Sequence, residues 1–156
     1  MEIRQAQTGD AEVLHGIVQA AFGEYRGVLA VPPSALGETL EEVREAVLGG
    51  QVLVAWDGDR AVGTVRYEVQ PEHLYVGRLA VLPEYRGHSI GAALMGYLEE
   101  LAPRLGLRRM RLGTRASMEK NIVFYERLGY TIVKQEPHTS GPDVWVWFEK
   151  ELDAAR

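Results

Sequence analysis

The sequence of 156 residues contains no cysteine, and this absence excludes several kinds of chemistry. Disulfide bonds, thiolate metal sites and a cysteine nucleophile cannot occur in such a chain. The histidines are few as well, and none of them is spaced as His-x-x-x-His; they are His15, His73, His88 and His138. We therefore expect no metal site.

Long apolar runs and an excess of positive charge are also missing. No apolar stretch approaches the roughly 20 residues that a membrane-spanning helix needs. The opening residues, Met-Glu-Ile-Arg-Gln, do not read as a signal peptide. The formal net charge of -5 argues against nucleic acid as the main partner. We expect a cytoplasmic protein that binds neither membrane nor nucleic acid.

The length and composition are those of one folded domain, and we predict a single domain over residues 1–156. A chain of this size buries about 70% of its unfolded surface, so it folds without metals or disulfides. Hydrophobic residues make up 46% of the chain and charged residues 25%, as in ordinary globular proteins.

Hydrophobic periodicity divides the chain into helices and strands. We expect Thr8 to cap the first helix, and Thr39 to Glu42 match a capping box for the second. Pro103 should kink or end the third helix. The predicted helices cover residues 8–22, 39–49, 89–103 and 118–128. The predicted strands cover residues 2–6, 51–56, 61–69, 73–81, 108–112, 130–135 and 143–149.

This order of elements indicates the fold class. The early strands are consecutive, whereas helices separate the later ones. The pattern predicts an α/β protein in the broad sense (α+β mixed), with four helices and a mixed, mostly antiparallel sheet of about seven strands.

The most informative segment runs from Val76 to Gly91. An apolar strand stops at Pro83, a glycine-containing turn follows, and a helix begins at about Ser89. Such a turn directs backbone N–H groups and the positive end of a helix dipole at one point, which favours an anion such as a pyrophosphate. Arg86 can add a full positive charge.

Two stretches of the chain resemble motifs of the GNAT superfamily of acyl-CoA-dependent N-acetyltransferases. The segment 79–92, Leu-Ala-Val-Leu-Pro-Glu-Tyr-Arg-Gly-His-Ser-Ile-Gly-Ala, is similar to the acyl-CoA motif Arg/Gln-x-x-Gly-x-Gly/Ala. The segment 124–130, Phe-Tyr-Glu-Arg-Leu-Gly-Tyr, is similar to the end of the helix that follows the fifth strand of the family. The resemblance implies a GNAT-type fold whose sheet splays open at its centre for acetyl-CoA.

The resemblance also implies roles for particular residues. The backbone of the strand at Leu79, Ala80 and Val81 would bind the pantetheine arm, and Tyr125 would act as general acid beside the thioester sulfur. The backbone amides of the turn would hold the pyrophosphate; they belong to Arg86, Gly87, His88, Ser89, Ile90, Gly91 and Ala92.

The chain departs from the family pattern at three places. Ser89 replaces the middle glycine of the acyl-CoA motif, and we expect it to keep its N–H available and to cap the helix through its hydroxyl. Met118 stands where an asparagine is common, while Asn121, one turn away, is a candidate cofactor contact. Tyr75 stands where some relatives have a catalytic glutamate.

Acetyl transfer requires deprotonation of the amine, stabilisation of the carbonyl oxygen and protonation of the leaving thiolate. Without a cysteine, direct attack of the amine in a ternary complex is the expected route. His73 and Glu72 are the nearest base candidates. Glu24 and Glu68 are weaker ones, and a water chain is an equal alternative.

The acceptor site is expected in the loop from Phe22 to Leu36. Glu24 and Tyr25 would suit a cationic amine there, although polar loop residues are also common at ordinary surfaces. Trp145 and Trp147 share one face of the last strand, where packing under a helix or a partner subunit is a better interpretation than a substrate cage. A homodimer is compatible with this arrangement.

The sequence therefore predicts an N-acetyltransferase that moves an acetyl group from acetyl-CoA to a primary amine on a small molecule or peptide. The alternative is a non-catalytic acyl-CoA sensor on the same fold. A Rossmann-type nucleotide-binding domain is the weaker third interpretation, because the glycine turn follows consecutive strands rather than the first strand of a βαβ unit.

Overall fold

The computed structural model describes residues 1–153, and within them it contains four α-helices and seven strands. The helices are α1 (Ala11–Phe22), α2 (Leu40–Leu48), α3 (Ile90–Arg104) and α4 (Glu119–Arg127). The strands are β1 (Glu2–Gln5), β2 (Val52–Asp57), β3 (Arg60–Val69), β4 (Leu74–Val81), β5 (Arg109–Arg115), β6 (Thr131–Pro137) and β7 (Val144–Glu151).

The strands form one sheet in the order β1-β2-β3-β4-β5-β7-β6. β4 and β5 are parallel, and every other neighbouring pair in this sheet is antiparallel. Antiparallel neighbours need only a short turn, whereas the parallel pair needs a crossover, which α3 provides. The predicted mixed, mostly antiparallel sheet with four helices is confirmed.

The parallel pair opens partway along its length. β4 and β5 pair from Leu74 with Met110 to Val76 with Leu112. Beyond this point β4 stays paired with β3 as far as Val81, and β5 stays paired with β7 as far as Arg115. The two halves of the sheet therefore separate after Val76, which leaves a gap between the ends of β4 and β5.

A β-bulge lies at the start of this gap. Gly77 pairs with Arg66 and Ala80 with Thr64, so Arg78 and Leu79 together oppose Val65. Arg78 has a φ of 52°, in the left-handed region that a residue with a Cβ adopts only at a cost. Such a bulge bends its strand and redirects side chains, and here it does so beside the gap.

Two apolar cores hold the helices to opposite faces of the sheet. Leu94 and Leu98 of α3 and Tyr125 of α4 pack with β-sheet residues such as Met110 and Phe148. On the other face, α1 and α2 pack with residues of β2, β3 and β4, including Ala80. The gap between β4 and β5 is therefore flanked by helices from both sides.

The structure confirms some of the predicted helix ends and contradicts one. The capping box of α2 is present, with the Glu42 amide donating to Thr39 Oγ1 at 3.2 Å and the Thr39 amide donating to Glu42 Oε1 at 3.1 Å. The prediction that Thr8 caps α1 is wrong. Thr8 begins a short 3-10 turn in which the Asp10 carboxylate accepts from the Gln7 amide, and α1 begins at Ala11. α3 ends one residue after Pro103.

The tryptophans of β7 form an aromatic column. Val146 and Phe148 are buried, and Trp145 and Trp147 lie on the opposite face, as their alternation predicts. The two indoles stack with ring centroids 5.6 Å apart, and His138 stacks on Trp145 at 5.3 Å. The sequence predicts packing under a helix or a partner subunit; within this chain the two indoles pack against neighbouring strand residues and His138. The Trp147 ring covers Gly113, its partner on β5.

Within residues 1–153, no helix is both long and apolar enough to cross a membrane.

Gly113 provides a test of this packing. A Cβ on Gly113 would lie 2.5 Å from the Trp147 ring, so Gly113→Ala should lower the free energy of unfolding by about 1–3 kcal/mol in urea denaturation. Gly96→Ala is the matched control, because its added methyl meets nothing within 4 Å and Ala favours the helix. Equal effects of the two substitutions would contradict the packing described for Trp147.

Candidate active site

Two adjoining cavities open at the gap between β4 and β5. The larger has a volume of about 730 Å³ and is lined by both strand ends, from Tyr75 to Leu79 and from Leu112 to Arg115. The smaller, of about 270 Å³, lies along Leu79, Ala80 and Val81. Both cavities are lined by Phe22, Leu79 and Asn121, so they meet at the gap.

The glycine turn presents unpaired backbone amides beside the smaller cavity. The first backbone hydrogen bond of α3 runs from the Ala93 amide to the Ser89 carbonyl oxygen at 3.0 Å. The amides of Ile90, Gly91 and Ala92 precede this bond and have no partner within the helix, which is the usual basis of an anion site. Two other amides of the turn, those of Arg86 and His88, donate to the carbonyl oxygens of Pro83 and Tyr85 and are not available to an anion. The turn therefore presents fewer free amides than its sequence predicts.

Ser89 differs from the prediction in one respect. Its φ is 60°, in the left-handed region where glycine is favoured, and its hydroxyl makes no capping hydrogen bond to α3. The expected side-chain cap is therefore wrong, since a residue in this backbone conformation does not have the extended geometry of an ordinary N-cap. The serine keeps the backbone shape of the glycine that the motif calls for.

Gly91 packs closely against Phe124. A Cβ at this position would lie 3.2 Å from the ring of Phe124, which lines the smaller cavity. The glycine of the first motif thus contacts the aromatic residue that begins the second. The two motifs, about forty residues apart in the chain, form one wall of the same cavity.

Arg86 joins the glycine turn to the end of α1. Its guanidinium donates to Glu24 Oε2 at 3.1 Å and to the Ala21 carbonyl oxygen at 3.0 Å. Glu24 and Tyr25 line the smaller cavity together with Arg86, and neither lines the larger one. The structure therefore brings these two predicted acceptor residues to the side of the glycine turn.

Tyr125 lies in the core and also lines the larger cavity. It is 8% exposed, and its ring packs against Phe124, Tyr130 and Phe148. Burial, with a smaller contribution from Tyr75, raises the pKa of the Tyr125 phenol far above its usual value. The hydroxyl therefore keeps its proton throughout the neutral pH range.

Glu38 forms a buried ionic cluster with two arginines of the larger cavity. It is 8% exposed and accepts from both terminal nitrogens of Arg66, at 2.6 and 2.5 Å. Arg78 Nε lies 3.5 Å from the same carboxylate, and Arg78 Nη1 donates to Ser34 Oγ at 3.0 Å. Burial alone would raise the pKa of Glu38, but the hydrogen bonds and charges of the two arginines hold it below its usual value.

Arg115 is a third arginine of the larger cavity, and its side chain is 4% exposed. Its Nη1 lies 3.8 Å from Asp143 Oδ2 and has no hydrogen-bond partner among residues 1–153. The Asp143 carboxylate already accepts from the amide and hydroxyl of Ser117 and from the Val144 amide. The charge of Arg115 is balanced, but its hydrogen-bonding capacity is not used.

The predicted base residues separate into two groups. His73 and Glu72 lie just before β4 and line neither cavity; burial, followed by the charge of Arg111, lowers the pKa of His73. Glu68, the weaker candidate, does line the larger cavity, as does His138.

Asn121, the candidate cofactor contact, lines both cavities and donates to Thr114 Oγ1 at 3.3 Å, beside the buried Met118.

Within residues 1–153, no group of three or more His, Asp or Glu side chains is placed to hold a metal ion.

Comparison with known proteins identifies the family. Residues 17–130, most of the chain, match the model of the Acetyltransferase (GNAT) family. The chain therefore belongs to the GNAT acetyltransferase family, as the two motifs indicate.

Two curated relatives and one solved structure illustrate the likeness. The chain is 25% identical over 96 residues to the uncharacterized N-acetyltransferase YjcF of Bacillus subtilis, and 33% identical over 88 residues to N-alpha-acetyltransferase 30 of Schizosaccharomyces pombe. These matches cover 62% and 53% of the chain, but only 66% and 58% of the relatives. The PaiA N-acetyltransferase of Thermoplasma acidophilum, solved with coenzyme A, shares the fold with a TM-score of 0.81 at 21% identity, covering 96% of this chain and 98% of that one.

The Glu38 cluster predicts a pH dependence of stability. A carboxyl whose pKa is lowered by folding stabilises the protein above its usual pKa, and this contribution is lost as the pH falls through the lower folded value. Glu38→Gln should therefore reduce the free energy of unfolding by about 3 kcal/mol at pH 7, and by progressively less below the usual pKa of 4.5.

Urea denaturation as a function of pH measures this difference. Glu41→Gln is the control, since Glu41 pairs with Arg44 at a surface position where its side chain is 72% exposed. A Glu38→Gln deficit that stays constant on acidification would show that the carboxylate charge is not what stabilises the cluster.

Proposed function

We propose that the protein transfers an acetyl group from acetyl-CoA to a primary amine, by direct attack within a ternary complex. The observation that carries this proposal is the meeting of two different cavities at the gap between β4 and β5. One lies beside the anion-binding amides of the glycine turn, and the other is lined by polar side chains and Tyr125.

The cofactor would lie along the smaller cavity. The amides of Gly87, Ser89, Ile90, Gly91 and Ala92 would hold its pyrophosphate, and the backbone of Leu79, Ala80 and Val81 would bind the pantetheine arm. Two observations support this placement: β4 loses its β5 partner after Val76, so its backbone groups on that side are free, and the helix amides lack partners within α3. The thioester would then reach the gap beside Leu79.

The carbonyl oxygen gains charge during attack and needs hydrogen-bond donors. The β4 amides beyond Val76 that face the gap are in the right place to donate, and we assign this role to Leu79 or Val81. The bulge at Arg78 adds local irregularity there, which is common next to active sites. No rearrangement of the sheet is needed to free these donors.

Tyr125 would protonate the departing thiolate. Burial raises the pKa of its phenol, so the hydroxyl keeps its proton until negative charge develops on the sulfur. A protonated phenol therefore remains a suitable hydrogen-bond donor to the thiolate. Tyr125 lines the larger cavity, where the acceptor would approach.

We assign removal of the amine proton to Glu68, directly or through water. It is the one predicted base among the residues that line the larger cavity, and it lies opposite Tyr75 in the β3–β4 ladder. His73 and Glu72 receive no role, because they line neither cavity.

One observation favours the alternative of a non-catalytic acyl-CoA sensor. Arg86 is already hydrogen-bonded to Glu24 and to the end of α1. A pyrophosphate that recruited Arg86 would loosen this contact, and a sensor needs such a ligand-dependent change. Release of coenzyme A with an amine acceptor distinguishes an enzyme from such a sensor.

Tyr125→Phe tests the proposed chemistry. Loss of the hydroxyl should lower kcat by about tenfold or more, as expected for a general acid, while the affinity for acetyl-CoA changes little because the ring packing is kept. Coenzyme A release with a thiol reagent measures the rate. Tyr97→Phe, on the exposed side of α3, is the control. An unchanged kcat in Tyr125→Phe would remove the tyrosine from the mechanism.

The backbone at Ser89 makes a second prediction. Ser89→Gly should bind acetyl-CoA as well as the original protein, because glycine adopts a φ of 60° without strain. Ser89→Val should weaken binding about tenfold, since a β-branched residue resists the left-handed region. Calorimetric titration compares the three proteins, and equal affinity in Ser89→Val would show that the turn does not hold the cofactor.

A further inference from the structure

The larger cavity has an unusual set of charges in its wall. Three arginines line it, Arg66, Arg78 and Arg115, each from a different strand, and Glu68 is the acidic residue among the lining residues. Glu38 and Asp143, the carboxylates nearest the arginines, pair with them from behind the wall and do not line the cavity. The surface that an acceptor would meet is therefore rich in guanidinium groups.

Both terminal nitrogens of Arg66 donate hydrogen bonds to a carboxylate, whereas Arg78 has weaker contacts. The Glu38 carboxylate accepts two short, parallel hydrogen bonds from Arg66, the geometry in which the pair is strongest. Arg78 has only a 3.5 Å approach to the same carboxylate and one hydrogen bond to the hydroxyl of Ser34. Two guanidinium groups thus share one carboxylate, which leaves a positive charge and free donors at Arg78.

Arg115 provides the second, independent observation. Its side chain is buried in the cavity wall, and Nη1 is without a hydrogen-bond partner among the described residues. The Asp143 oxygens that balance its charge are taken up by Ser117 and Val144. A buried guanidinium with unused donors is costly unless something else accepts from it.

The size and remaining lining of the cavity limit the kind of acceptor. A volume of about 730 Å³ is within the range of about 300–1,000 Å³ typical of small-molecule sites. Tyr75, Trp145 and Val31 supply apolar and aromatic surface between the charged groups. The positive charge left at Arg78 disfavours a polycationic amine, whereas a small amine that also bears an anion would complement both Arg78 and Glu68.

We propose that the acceptor is a small primary amine that carries an oxyanion, most simply a carboxylate. Arg78 and Arg115 hold the anionic group, and Glu68 faces the ammonium group before its proton is removed. This inference rests on the proposed acetyltransferase activity, and it names the substrate class of the same site.

A panel of matched acceptors tests the proposal. Amino acids and ω-amino acids are compared with their own carboxamides and methyl esters, which keep the amine but remove the anion. Phosphoethanolamine distinguishes a phosphate from a carboxylate, and spermidine represents polycations. Coenzyme A release gives kcat/KM for each acceptor. Binding of the corresponding N-acetylated compounds to the protein in the presence of coenzyme A, measured by calorimetry, does not depend on turnover.

The proposal predicts that at least one anionic acceptor is preferred about tenfold or more over its neutral counterpart, as loss of charge-assisted hydrogen bonds implies. Arg78→Gln should reduce this preference about tenfold, mainly by raising KM for the anionic acceptor. Arg115→Lys keeps the buried charge but loses the planar guanidinium group that can donate two parallel hydrogen bonds. It should raise KM for anionic acceptors in the same way.

Arg111→Gln is the matched control. Its side chain is 28% exposed against 29% for Arg78, and it also pairs with a carboxylate, but it does not line the cavity. Acetylation of neutral or cationic amines with no preference for anionic ones would overturn the inference and leave the acetyltransferase intact. Failure of every anionic compound to bind would overturn it as well. Acetyl-CoA binding without coenzyme A release for any acceptor would instead contradict the proposed enzyme.

Discussion

The structure depends on the interruption of one strand pairing. β4 and β5 are hydrogen-bonded for three residues and then separate, while each remains in the sheet through its other neighbour. Backbone donors and acceptors normally must be paired when they are buried, so a gap in the centre of a sheet leaves groups that a ligand can satisfy. The two cavities open at this gap, and the bulge at Arg78 and the ring of Tyr125 lie beside it.

Ion pairs on the α1–α2 side of the sheet fix the loops around the gap. The buried Glu38 ties the segment before α2 to β3 and β4, and Arg86 ties the glycine turn to the end of α1. Removing one partner of the buried Glu38 pair would leave an uncompensated charge, so this contact holds its segment strongly. The Arg86–Glu24 pair is more exposed and is expected to contribute less. Arg66 and Arg78, which hold the segment before α2 through Glu38, also line the larger cavity. Positioning and recognition are therefore performed by one set of side chains.

The sequence predicted the fold and the turn before α3, but not the charges that line the larger cavity. The motif at 79–92 is local, so its turn and its helix follow from short-range pattern. The contact of Gly91 with Phe124 joins residues that are distant in the chain. Arg66, Arg78 and Arg115 are distant in sequence and come together through the register of three strands, which no local pattern encodes. His73 and Glu72 are base candidates because they are close to Tyr75 along the chain, but the gap begins only after Val76. The alternation of the tryptophans along β7 is visible in the sequence. The packing of Trp147 over Gly113 depends on the register between two strands, which is not.

The central claim is that the gap binds acetyl-CoA, and calorimetric titration of the protein with acetyl-CoA, NAD and ATP tests it most directly. The account predicts saturable binding of acetyl-CoA at one site per chain, with much weaker binding of NAD and ATP, because only acetyl-CoA has a pantetheine arm to place along Leu79, Ala80 and Val81. Absence of acetyl-CoA binding would show that the gap is not a cofactor site. Equal binding of all three ligands would show that the turn recognises phosphate alone.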